Sequence, residues 1–124
     1  MNLGDTFLNQ ALDTPEHLWI VASLPTTDGQ VAIVNLTTCR PGCDETCLVR
    51  IGDHPFVRRD SVVAYQHAKL VEQSKLQDWV KKGYCRRMVP TSKALLARVQ
   101  QGALQSPHTP QKVQAVIRSS CSGK

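Results

Sequence analysis

Aromatic residues are scarce, at 5% of 124 positions, and no apolar run approaches the length needed to cross a bilayer, which excludes a membrane-spanning helix. With 41% hydrophobic and 20% charged residues, the chain is not the composition of a disordered tail either. The opening Met1-Asn2-Leu3-Gly4-Asp5 lacks the basic and apolar regions of a signal peptide, so a cytoplasmic location is expected. Gly-rich phosphate loops, Gly-x-Ser-x-Gly elbows and His-Glu-x-x-His pairs are all missing, leaving kinase, serine hydrolase and zincin chemistry without support. No cofactor is expected. Charge of one sign is missing from each end: no Lys or Arg precedes Arg40, and no Asp or Glu follows Asp78.

What is present fits one domain, expected over residues 1–118, with 119–124 as a flexible tail. The formal charge of +5 hides a gradient. Residues 1–39 hold four acids and no base, 40–78 hold six of each, and 79–124 hold nine bases and no acid. Such a basic end predicts an anionic partner, either nucleic acid or an acidic protein segment.

Residues 17–24 and 30–38 are near-continuous β-branched apolar runs, bounded by Pro15 and by Pro25-Thr26-Thr27-Asp28-Gly29, and predict a hairpin of buried strands. Short strands are also expected around Thr6-Phe7-Leu8, over 47–51 and over 61–65. Leu76, Trp79 and Val80 then share a helical face, with Ser74 as a cap and Gly83 as a stop. A second helix is expected from Thr91 or Ser92 with Leu95, Leu96, Val99 and Ala103 inward. A third follows Thr109-Pro110 and uses Val113, Val116 and Ile117. Strands first and helices last predict an α+β domain: a small, bent antiparallel sheet or barrel followed by two or three short C-terminal helices.

Three constellations carry chemistry. If the hairpin loop spans residues 25–29, paired positions sum to about 54, or to about 57 if Asp28-Gly29 is itself the turn. His17 then lies at or near Thr37, at the end of the strand that carries Asn35, Thr37 and Thr38. The Gly52-Asp53-His54-Pro55 turn could bring His54 to the same edge, with Arg58 or Arg59 after it. Two imidazoles, an arginine and hydroxyls suffice to cleave RNA: one group takes the 2′-hydroxyl proton, another protonates the 5′-oxygen, and cations stabilise the phosphorane. Each also fits an ordinary role, His17 packed beside Trp19, Asp53-His54-Pro55 as turn chemistry, and Arg58-Arg59 as a solvated face.

Cys39-x3-Cys43-x3-Cys47 with His54 has the ligand types of a closed structural zinc site, although the spacing also suits unligated thiols. Lys81-Lys82-Gly83-Tyr84-Cys85-Arg86-Arg87 sets four bases around one aromatic, which suits single-stranded nucleic acid. Lys81 and Lys82 equally fit the last turn of a helix, where cations complement the dipole.

The segment order resembles the MazF/PemK/Kid toxins of type II toxin–antitoxin modules. The resemblance rests on Gly4-Asp5-Thr6-Phe7, on Leu18-Trp19-Ile20-Val21-Ala22-Ser23, and on the strand ending Asn35-Leu36-Thr37-Thr38. Asp60-Ser61-Val62-Val63, Ala68-Lys69-Leu70 and the helix at Ala94-Leu95-Leu96 extend it over residues 3–104. It implies an SH3-like antiparallel barrel, a homodimer and a metal-independent endoribonuclease toxin acting on single-stranded RNA. It also implies inhibition by an acidic antitoxin. The family's Arg-Pro pair is replaced here by Glu16-His17. His17, Thr37, His54 and Arg58 are therefore the expected catalytic set, and Thr38, Arg59, Ser61, Lys81, Lys82, Tyr84, Arg86 and Arg87 the expected RNA contacts. The alternative is a non-catalytic barrel that binds nucleic acid or protein, as a regulator or topoisomerase poison, with or without structural zinc.

Overall fold

The computed structural model describes residues 1–9 and 17–122. Pro15, Glu16 and the final Gly123-Lys124 lie outside the described residues. The chain is α+β. In order it forms β1 (Thr6–Asn9), β2 (Leu18–Val21), β3 (Gln30–Thr38), β4 (Leu48–Val49), β5 (Ser61–Val63) and a single 3-10 turn at Tyr65–His67. There follow β6 (Lys69–Glu72), α1 (Gln73–Lys81), β7 (Cys85–Met88), α2 (Lys93–Gln105) and α3 (Gln111–Ser122).

The two apolar runs are unbroken because both faces of β2 and β3 are buried. Leu18, Ile20, Ala32, Val34 and Leu36 point to a large core closed by Leu95, Val99 and Ala103 of α2 and by Val113 and Ile117 of α3. Trp19, Val21, Val31 and Ile33 point the other way, to a smaller core with Phe7, Leu76 and Cys85, against which Trp79 and Val80 pack. The Phe7 and Trp19 rings stack there at 6.5 Å. Period-2 alternation thus feeds two cores instead of one core and solvent.

All strand pairs are antiparallel, in the order β4-β5-β3-β2-β1-β7, with β6 also on β3. The nine-residue β3 organises the sheet. One edge pairs β2, while the other pairs β6 through Gln30–Ile33 and β5 through Leu36–Thr38. Such a shared strand must bend between its two partners. Along this path β4 and β7 are not hydrogen-bonded to each other, so the sheet is curled but open.

The helical expectations largely hold. Gly83 ends α1 in the left-handed region, at φ 81°, and the Tyr84 amide reaches the Trp79 carbonyl while the Gly83 amide reaches Val80, a Schellman closure. Ser92 caps α2 by accepting from the Leu95 amide. Two expected caps are not used. Helix α1 begins at Gln73, one residue before Ser74, and the Thr109 hydroxyl has no partner among the described residues. Helix α3 runs to Ser122, and the Ser120 hydroxyl accepts from the Leu24 amide, so helix occupies much of the segment expected as a tail.

Two carboxylates hold α2 against the loops around β4. The Arg50 amide and the Arg98 guanidinium lower the Asp53 carboxyl, the latter through a 2.9 Å ion pair. Burial raises the Asp44 carboxyl, but bonds from the Ser106 hydroxyl, at 2.6 Å, and from Thr46 outweigh it and leave it lowered. The 44–53 segment is thereby latched to the middle of α2, at Arg98, and to its C-terminal end, at Ser106.

Candidate functional site

β2 and β3 pair Trp19 with Asn35 and Ile20 with Val34, so partners sum to 54 and His17 falls opposite Thr37. The 25–29 loop closes by Gly29 donating to Thr26 and Thr26 donating to the Gln30 carbonyl. The hairpin register is therefore the first of the two alternatives.

This placement opens a groove of about 540 Å³. His17, Thr37, Thr38, Arg58, Arg59, Ser61 and Arg86 supply its polar lining, and Leu36, Phe56 and Met88 are among its apolar wall. The residues come from strands distant in the sheet order, Leu36, Thr37 and Thr38 from β3, Ser61 from β5 and Arg86 and Met88 from β7. The groove thus spans from β3 and β5, through the 55–59 loop, to β7.

Within it, His17 Nδ1 lies 3.1 Å from the Leu36 carbonyl. A carbonyl only accepts, so Nδ1 carries a proton and donates, and in the neutral ring the lone pair falls on Nε2. No partner for Nε2 is found among the described residues. Arg58, Arg59 and Arg86 are exposed and form no ion pair among the described residues. No acid is among the described residues lining the groove. The result is a concave surface with three guanidinium groups that have no ion-pair partner among the described residues, an imidazole and three hydroxyls. It is suited to a phosphodiester.

Several expected site residues are elsewhere. His54 is buried; its Nδ1 accepts from the Phe56 amide at 3.0 Å and its Nε2 donates to the Val89 carbonyl at 2.6 Å. Both ring nitrogens are occupied, so His54 is corrected from proton-transfer group to structural clamp. It ties the loop before β5 to the exit of β7, behind the groove. Arg87 is separated from Arg86 by strand alternation and binds Asp5 at 3.3 Å. Lys82 pairs with Asp78 at 2.9 Å, and neither Lys81, Lys82 nor the half-exposed Tyr84 lines the groove. The basic 81–87 cluster is thus divided among the end of α1, the turn after it and the two faces of β7, because Gly83 stops the helix inside it.

The suggested zinc set is not assembled either. Cys39 and Cys43 are in contact, with sulfurs 3.1 Å apart, whereas Cys47 is buried beside the Tyr65 hydroxyl and His54 is clamped as above. Among the described residues no cluster of three His, Cys, Asp or Glu side chains has metal-site geometry. Burial raises both the Cys47 thiol and the Tyr65 phenol.

Phe56 was not anticipated. It is half-buried in the groove wall, next to the His54-Pro55 turn that carries it, and it replaces Tyr84 as the aromatic beside the cationic groups. Its only signal in the sequence is its place between Pro55 and Arg58-Arg59. No family model and no curated protein matches the chain.

Proposed function

We propose that this chain is a metal-independent endoribonuclease of MazF-like type, binding single-stranded RNA in the groove between His17 and Arg86. The observation that carries the reading is the convergence of an imidazole oriented through Nδ1, hydroxyls and arginines without ion-pair partners among the described residues in one concave site. In this reading the curled sheet is an open SH3-like barrel, with the substrate lying in the groove.

His17 Nε2 takes the proton of the 2′-hydroxyl, and the resulting oxygen attacks the adjacent phosphorus. The Leu36 carbonyl stabilises the imidazolium through Nδ1, much as a carboxylate would, though with a dipole instead of a charge. Arg58, Arg59 and Arg86 hold the phosphorane charge, and Thr37, Thr38 and Ser61 orient the strand. Phe56 offers a face for base stacking. With His54 committed to structure, the departing 5′-oxygen takes its proton from water. The products are a 2′,3′-cyclic phosphate and a 5′-hydroxyl end. The same arginines fit the acidic antitoxin segment that the resemblance implies, in which case inhibitor and RNA compete for one groove. A homodimer belongs to the same proposal.

Purified protein incubated with mixed single-stranded RNA in chelator should yield cyclic-phosphate ends. His17→Ala should reduce cleavage by about 100-fold or more while RNA binding persists. The single histidine in the groove also favours a second reading, a non-catalytic RNA-binding module. That reading predicts salt-sensitive binding lost in Arg58→Ala and Arg86→Ala, with intact RNA in every incubation.

A further inference from the structure

Cys39 and Cys43 have no part in the proposed chemistry, yet their sulfurs lie 3.1 Å apart and both side chains are half-exposed. The chain holds them in place from two sides. The Cys39 amide donates to the Asp60 carbonyl, pinning the end of β3 to the start of β5. The Cys43 amide donates to the Arg40 carbonyl across a Pro41-Gly42 turn, with Gly42 at φ 83°. A second observation concerns access. Cys43 lines a cavity of about 210 Å³ together with Thr37, Gly42, Asp44 and His108, large enough for a small peroxide. Thr37 also lines the arginine groove, so the dithiol sits against the wall of the proposed RNA site.

We propose that Cys39 and Cys43 are an oxidation site that a hydroperoxide converts to a reversible intramolecular disulfide. Sulfurs in contact need only about 1 Å of further approach to reach bonding distance, and a turn of this kind supplies it without moving a strand.

The order of events follows from the hydrogen bond between the thiols. It raises the Cys39 thiol to about 11, and Cys43, which lines the cavity, is the sulfur that meets the peroxide first. Cys43 sulfur attacks the peroxide; a sulfur–oxygen bond forms, the oxygen–oxygen bond breaks, and an alcohol, or water from hydrogen peroxide, departs. Cys39 sulfur then attacks Cys43 sulfur; the disulfide forms, the sulfur–oxygen bond breaks, and the hydroxyl leaves as water with the Cys39 proton. Two thiols lose two electrons and two protons, and the peroxide takes both.

The test uses the full reduced chain, treated with hydrogen peroxide, alkylated under denaturing conditions and sequenced by mass spectrometry. Arg40 precedes Pro41 and no base lies before it, so trypsin releases both cysteines in one fragment ending at Arg50. Expected is a fragment two hydrogens lighter, linked between Cys39 and Cys43 and restored by dithiothreitol. It should form at least about ten-fold faster than oxidation of Cys121, which has no thiol in contact. In Cys39→Ser, Cys43 should stop at the sulfenic acid and be captured by a 1,3-diketone. Linkage of Cys43 to Cys47, over-oxidation of Cys43 with Cys39 still alkylatable, or rates no faster than that of Cys121 would overturn the proposal. None of these readouts depends on RNA, so the two proposals fail separately.

Discussion

His17 and His54 show how little a residue type fixes a role. Both stand next to apolar strands, and both belong by chemistry to a list of proton-transfer groups. Their bonding separates them: His17 lines the groove and donates from one nitrogen, with no partner for the other among the described residues, whereas His54 uses both nitrogens and is buried. The pairing of His17 with Thr37 was readable from the sequence, because a hairpin register follows from loop length. The fate of His54 was not, since its partner Val89 lies 35 positions away and no periodicity links them. The stability consequence is opposite for the two residues. His54→Ala removes a side-chain partner from the Phe56 amide and from the Val89 carbonyl, leaves a cavity, and unfastens the two ends of the open sheet. Urea unfolding should show a loss of about 2–3 kcal/mol for this variant and under about 0.5 kcal/mol for His17→Ala. Equal losses would mean that the clamp does not hold the sheet.

Elements were legible where their pattern was long. The hairpin and the inward faces of α1 and α2 follow directly from apolar spacing. β6 and β7 were missed because Lys69-Leu70-Val71-Glu72 runs into α1 with no turn between them, and because Cys85-Arg86-Arg87-Met88 reads as a basic cluster until its pairing with β1 is known. Splitting that cluster over two strand faces is what delivers Arg86 to the groove and Arg87 to Asp5. Helix α2 carries a subtler signal in Gly102, a glycine inside a helix, where alanine would ordinarily gain about 1 kcal/mol. Here the missing Cβ makes room for the Tyr65 ring, whose hydroxyl donates to the Val99 carbonyl at 2.8 Å. A Cβ at position 102 would overlap that hydroxyl and crowd the Cys47 Cβ. Gly102→Ala should therefore destabilise by about 1–3 kcal/mol despite its better propensity. Tyr65→Phe alone should cost about 1 kcal/mol for the lost hydrogen bond. Placed together the two should cost less than their sum, because the second change removes the atom that the first strikes. Strict additivity in a double-mutant cycle would show that Tyr65 and Gly102 do not share this space.

At the scale of the whole molecule the charge gradient meets the fold. The acid-free final third supplies β7, α2, α3 and the last three residues of α1, yet among its described bases only Arg86 lines the groove; Arg58 and Arg59 come from the balanced middle. Net charge therefore pointed to an anionic partner without locating it. The same gradient governs behaviour in acid. Asp44 and Asp53, both from the middle third, tie the loops around β4 to Ser106 and Arg98 of the basic third, and both carboxyls are lowered in the folded chain. A carboxyl lowered by folding contributes its stabilisation above its unfolded value and loses it as pH falls through its folded one. With ordinary values of 3.8, the loss should begin near pH 4 and be complete only below the lowered folded values. Over that window the remaining acids also neutralise, and the nine bases of the final third repel one another without compensation. The expected result is a drop in melting temperature below about pH 4, with α2 and the 44–53 loop losing amide protection before the β2–β3 hairpin does. Asp44→Asn with Asp53→Asn should lower stability at pH 7 and flatten the acid slope. A slope unchanged in the double variant would place the acid sensitivity in the remaining acids instead of at this latch.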